Sequence, residues 1–234
     1  MMKTKLLFLV AGLGLALQWA GAGDVKKTDY SELIFKDDFS SDGFGKRWKH
    51  YKSGSVVKDG VFEGITPEGS DHQAVDTIQF EGRRDMEVTV KFKFSGPESK
   101  KFNLKFDDHA YKGSHAGHIC RVVVSPALVT ISDGKTGIFN NEIFEKRQAK
   151  VKLDEATQKL LASKMARFPV TLKKDAWHDL LIRTQGDVMT VKIDGKEVGQ
   201  LQSEGIAYAS KSSVGMATPG KGTFFDDFVV KAAR

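Results

Sequence analysis

Three of the six histidines in this 234-residue chain, His109, His115 and His118, fall within ten consecutive residues. Asp107 and Asp108 precede them, and Arg121 follows. Histidine changes charge near neutral pH and is the commonest metal ligand, so such a cluster suits acid–base work or metal binding. His115 or His118 would act as base or ligand, Asp107 would orient a ring nitrogen or a hydroxyl, and Lys105 and Arg121 would polarise an oxygen. Gly113 and Gly117 let the backbone bend so that these side chains converge. The spacing His-x5-His-x2-His is no defined ligand signature, so a divalent metal is the weaker of the two expectations. The competing reading is a polar loop whose histidines bond to backbone and water.

The element beneath the cluster reads as a strand. Phe102, Leu104 and Phe106 alternate with Asn103, Lys105 and Asp107, and continuing the alternation puts His109 on the same polar face. Met86, Val88, Val90, Phe92 and Phe94 alternate with polar residues in the same way. Ser95 to Ser99 separates the two runs, so they are expected to pair as an antiparallel hairpin. Asp59-Gly60 and Asp194-Gly195 each join two strand-like runs and tolerate the positive φ angles of a type I′ turn. Further strands are expected near residues 34–39, 75–80, 119–124, 128–132, 170–173, 177–184, 214–217 and 224–230. Asp154 to about Arg167 reads instead as a helix, capped by Asp154 and stopped by Pro169. A dozen short strands and one helix describe a single all-β domain, a β-sandwich.

Met1 to about Ala22 has the form of a secretory signal. Lys3 and Lys5 precede 12 apolar residues, Leu6 to Leu17, and Ala20-Gly21-Ala22 is a small-residue cleavage site. The apolar run is short for a bilayer core of ~30 Å, and no later run is long enough to span one. Export to the periplasm or beyond is expected, with residues 23–234 as the mature domain. One cysteine excludes an internal disulfide framework, and Cys120, inside a strand-like run, reads as a small buried hydrophobe. The formal charge is +6, from 28 Lys and 8 Arg against 30 acids. The lysines are scattered among acids rather than clustered with aromatics, so nucleic acid is not an expected partner, while attraction to acidic glycans or an anionic envelope stays open.

The succession Leu33-Ile34-Phe35-Lys36-Asp37-Asp38-Phe39, Trp48, Trp177-His178-Asp179-Leu180, Val214-Gly215-Met216-Ala217 and Phe224-Phe225-Asp226-Asp227-Phe228 resembles the concanavalin A-like lectin/glucanase superfamily. Within it, the chain is most similar to the bacterial 3-keto-disaccharide hydrolase domain family. The resemblance runs over residues 33–231 and implies a jelly roll of two antiparallel sheets, with first and last strands adjacent and a concave face that often holds carbohydrate. The Glu-x-Asp-x-Glu strand of the superfamily's laminarinase-type enzymes is absent, which removes their retaining mechanism.

On that fold, the polar face of residues 103–109 would line the concave groove. The resemblance implies an exported carbohydrate-active protein that opens 3-keto-disaccharides by base-assisted elimination and hydration. His115, His118, Asp107 and Arg121 would carry the chemistry, and Asn103, Lys105, His109 and Tyr111 would hold the sugar, Tyr111 by stacking. The alternative is a non-catalytic carbohydrate-binding or envelope module. Asp38 and Asp226, on the first and last strands, could share a structural Ca²⁺. His72 lies on a loop that could join the groove, whereas His178, Trp48 and Trp177 read as packing residues.

Overall fold

The computed structural model describes residues 28–234; residues 1–22, read above as a secretory signal, lie outside the described residues. The strands are β1 (Glu32–Asp37), β2 (Trp48–Tyr51), β3 (Val56–Lys58), β4 (Val61–Gly64), β5 (Ala74–Arg83), β6 (Met86–Phe94), β7 (Phe102–Asp107), β8 (His118–Val124) and β9 (Leu128–Asp133). After two helices, α1 (Asn141–Gln148) and α2 (Glu155–Ser163), come β10 (Met165–Pro169), β11 (His178–Gln185), β12 (Val188–Ile193), β13 (Lys196–Gln202), β14 (Lys211–Thr218) and β15 (Thr223–Ala232). All pairings are antiparallel. One sheet runs β13-β12-β11-β6-β15-β4-β3, with β1 also on β15, and the other runs β10-β9-β8-β7-β14-β5-β2.

The alternating patterns do what period-two chemistry requires. Val88, Val90 and Phe92 from one sheet and Leu104, Phe106 and Val122 from the other are fully buried between the layers or nearly so. Asp59 and Gly60, and Asp194 and Gly195, have positive φ and close the β3–β4 and β12–β13 hairpins. First and last strands are neighbours, Lys36 opposite Val229. His178 bonds to Asp194 Oδ2 at 2.8 Å and the Lys173 carbonyl at 3.0 Å, a structural role. Trp48 is buried, while Trp177 lies at the surface under the Lys93 ammonium.

Three expectations need correction. β6 and β7 do not pair with each other. β6 lies between β11 and β15, β7 between β8 and β14, and residues 95–101 cross from one sheet to the other. Each strand has one strongly apolar face, and those faces bury each other across the sandwich: Phe102 meets Phe92 at 5.1 Å and Phe94 at 5.7 Å between ring centroids. The helix capped by Asp154 ends at Ser163 rather than Arg167. Met165–Pro169 extends the exposed edge of β9, and Phe168 packs so tightly on β13 that a Cβ at Gly199 would lie 2.3 Å from its ring. The strand expected at residues 170–173 is a loop continuing that edge by single bonds from the Val170 and Leu172 amides. The short strand β2 and helix α1 went unrecognised.

Between β9 and β10, residues 134–164 form an insertion held by Asp133. This fully buried carboxylate accepts bonds from the Thr136 and Gly205 amides at 3.0 and 2.9 Å and from the Thr136 and Ser203 hydroxyls. It ties the insertion to the turn after β13.

Candidate functional site

The outer face of the seven-stranded sheet carries a groove of about 500 Å³. Its floor follows from side-chain size. Lys105 on β7, Gly215 on β14, Thr77 on β5 and Lys49 on β2 lie in register across four strands. β14 presents only Ser213, Gly215 and Ala217 on this face, so the middle of the sheet is low and its flanks rise. A Cβ at Gly215 would meet the Thr77 methyl at 2.5 Å.

One wall is built where β7 ends. The register slips between Phe106 and Asp107, which sets Asp107 opposite His118. Ala116 and Gly117, at φ 52° and 71°, turn the chain just before His118. A Cβ at Gly117 would lie 2.1 Å from the Asp108 carbonyl, so only glycine fits. Gly113 bends through no such angle; it is kept small by the Tyr111 hydroxyl.

His118 Nδ1 then lies 2.7 Å from Asp107 Oδ1, and Lys105 Nζ lies 3.6 Å from Asp107 Oδ2. Burial alone would raise the Asp107 carboxyl, but the bond from His118 and the charge of Lys105 outweigh it and hold its pKa below the ordinary value. An ionised carboxylate only accepts, so the ring donates from Nδ1, and in its neutral form the lone pair is on Nε2. His115 stacks flat on Phe144 of α1, with centroids 3.8 Å apart. Burial, reinforced by His118, lowers its pKa and keeps the ring neutral at neutral pH.

The expected residues do not all converge. Lys105, Asp107, His109, His115 and His118 border the groove, with His109 Nε2 3.5 Å from the Ser213 hydroxyl. Asn103 shares their face but lies at the rim, donating to Gln73 Oε1 at 3.2 Å. Tyr111 does not border the groove. Its ring packs on Tyr208 at 4.9 Å under the Lys135 ammonium, away from the groove. Arg121 does not border the groove itself; with Lys105, Asp107, His118 and Phe139 it lines a small enclosed space beside it, the Phe139 ring lying 4.8 Å from its guanidinium and 4.4 Å from the His118 ring. Asp38 and Asp226 are each engaged locally. Asp38 accepts from the Ser40 amide and hydroxyl, and Asp226 accepts from the Asp227 amide. Among the described residues, no group of three or more His, Cys, Asp or Glu side chains could hold a metal, the His-rich segment included.

Of the opposite wall, sequence reading offered only His72. Tyr51, His72, Lys49 and His50 border the same groove, so five of the six histidines do. Tyr51 is 54% exposed and packs edge-on against His72 at 5.2 Å. His50 pairs with Asp76 at 2.7 Å on the inner face, so it reaches the groove only from the sheet edge. Alternation within Trp48–Tyr51 was the available signal, in a run too short to stand out.

No family model and no curated protein matches the chain. Solved structures do. A sialidase aligns at TM-score 0.59 and 12% identity over 85% of this chain, which spans only 18% of that protein. The laminarinase from Rhodothermus marinus aligns at TM-score 0.58 and 10% identity, over 87% of this chain and 98% of that one. The carbohydrate binding module CBM66 from Bacillus subtilis aligns at TM-score 0.55 and 12% identity, over 80% and 96%. The fold is a concanavalin A-like jelly roll. Identities this low establish architecture and leave activity to the site itself.

Proposed function

We propose that this is an exported carbohydrate-active protein whose groove receives a small saccharide and whose His118–Asp107 pair removes a proton from it. The observation that carries this reading is the 2.7 Å contact between His118 Nδ1 and Asp107 beside Lys105, which leaves Nε2 basic within the groove. The structural neighbours, which include a carbohydrate binding module and a laminarinase, favour a sugar as the ligand.

The substrate that suits this set is a 3-keto-disaccharide. Its carbonyl acidifies the hydrogen on carbon 2. His118 Nε2 takes that proton while the Lys105 ammonium stabilises charge gathering on the carbonyl oxygen. The electron pair then forms the double bond between carbons 1 and 2 as the glycosidic C–O bond breaks. The proton held by His118 passes to the departing oxygen, and water adds across the double bond, hydroxyl to carbon 1 and hydrogen to carbon 2. No second carboxylate is needed, which agrees with the missing Glu-x-Asp-x-Glu strand.

A binding module on the same fold is the second reading. It is favoured by the exposed Tyr51 ring at the groove edge and by the near-complete overlap with CBM66. The deciding experiment incubates the mature protein, from Gly23 onward, with matched 3-keto and unoxidised disaccharides and follows released monosaccharide. Release from the keto sugar alone, abolished by His118→Gln, supports the enzyme. Binding without release from either supports the module.

A further inference from the structure

Beyond the Phe139 and Phe144 rings, on the same side of the sheet as the groove, lie two adjoining clefts of about 590 and 510 Å³. Ile138 and Arg147 border both, so they form one depression between the insertion and β10. Arg121 enters it from β8, Arg147 from α1 and Arg167 from β10. No Asp or Glu borders either cleft.

The arginines are poorly compensated. None of the three has an ion-pair partner among the described residues. The Nε of Arg121 is buried with no hydrogen-bond partner, and Arg147 donates only to the Ile138 carbonyl, at 3.2 Å. Burial and then the facing Arg147 charge push the Arg121 guanidinium below its ordinary pKa, opposed only by Asp107. That carboxylate is already engaged with His118 and Lys105. An unpaired, half-buried guanidinium facing another cation is unfavourable in a folded protein unless an anion completes it.

We infer that the Arg121–Arg147–Arg167 cleft binds an oxyanion carried by a saccharide, either the carboxylate of a uronic acid or a sulfate ester. Guanidinium groups match both planar carboxylates and sulfate oxygens with paired N–H donors. The apolar flank of Ile138, Phe139 and Phe144 suits the face of a sugar ring. The oxyanion site stands on its own geometry; assigning it to a saccharide rests on the groove reading above, since one aromatic wall separates cleft and groove.

Calorimetric titration of the full mature domain with sodium sulfate and with sodium glucuronate, at ionic strength matched with sodium chloride, tests this. Three proteins are compared: the unsubstituted domain, Arg147→Gln/Arg167→Gln, and His118→Gln. Both arginines are exposed, and circular dichroism is used to check that the double variant folds. The unsubstituted domain is expected to bind at least one anion. The double variant should lose about tenfold or more in affinity, while His118→Gln keeps it. Preference for glucuronate identifies a carboxylated sugar and preference for sulfate a sulfated one. Equal binding by the double variant, or a response that chloride reproduces, overturns the inference. A neutral keto-disaccharide titrated into the same three proteins reads the groove separately, so anion binding without neutral-sugar binding retires the groove reading and leaves the oxyanion site standing.

Discussion

Phe144 lies flat against His115, with planes 12° apart and centroids separated by 3.8 Å. The two residues belong to different parts of the fold, one to the inserted helix α1 and the other to the turn before β8. The insertion therefore does more than decorate the sheet; it forms the shelf against which a groove histidine is held.

Replacing Phe144 by Ala removes that shelf. The stacking contribution is about 1 kcal/mol, so a modest loss in denaturant-measured stability is expected. Water gains access to His115, and its titration midpoint, followed by NMR, should rise toward the ordinary histidine value. An unchanged midpoint would show that the rest of the turn buries His115 without Phe144.

His115 also contributes a pH dependence of known sign. Its folded pKa is depressed below 6.5, so the fold favours the neutral ring. That stability is complete above 6.5 and is lost as the pH falls through the depressed folded value. Unfolding midpoints measured from pH 7.5 to 4.5 should decline, and His115→Gln should flatten the upper part of that decline.

Asp107 acts lower on the scale. Its folded pKa lies below 3.8, so its contribution is present above 3.8 and disappears as the pH falls through the folded value. Asp107→Asn removes this acid-sensitive component. It also reverses the bond to His118: the amide donates to Nδ1 and Nε2 carries the proton, so under the proposed function turnover of a keto-disaccharide should fall by about a hundredfold or more. Turnover within a few-fold of the unsubstituted protein would remove Asp107 from the orientation of the base.

Asp133→Ala should destabilise by about 3 kcal/mol, because it strands several buried donors at once. Chemical denaturation measures the loss. Limited proteolysis should cut first within residues 134–164, the segment that Asp133 anchors.

The Cys120 thiol is 2% exposed, and burial pushes its pKa up to about 12. It should resist thiol reagents in the native protein and react at once in denaturant. Rapid native labelling would mean that β8 opens locally.

Several features were determined by sequence alone. Period-two alternation in 86–94 and 102–107 marks each strand and its buried face. The two Asp-Gly pairs set their hairpins, and Asp154 caps α2 through the Thr157 amide. All of these depend on neighbours a few residues apart, or on one strand's own pleat.

Tertiary structure alone decided the rest. Alternation shows that β6 and β7 each have an apolar face but not whether they share a sheet, because hydrogen-bond partners such as β15 and β14 come from more than 100 residues away. Likewise Tyr51 and His72 border the same groove as His118 only because β5 and β2 lie beyond the low floor of β14. Arg121 lies beside the groove rather than in it, packed on Phe139, a residue of the insertion. A chain's periodicity states which side of an element is buried; which element lies against that side is settled by packing between distant segments.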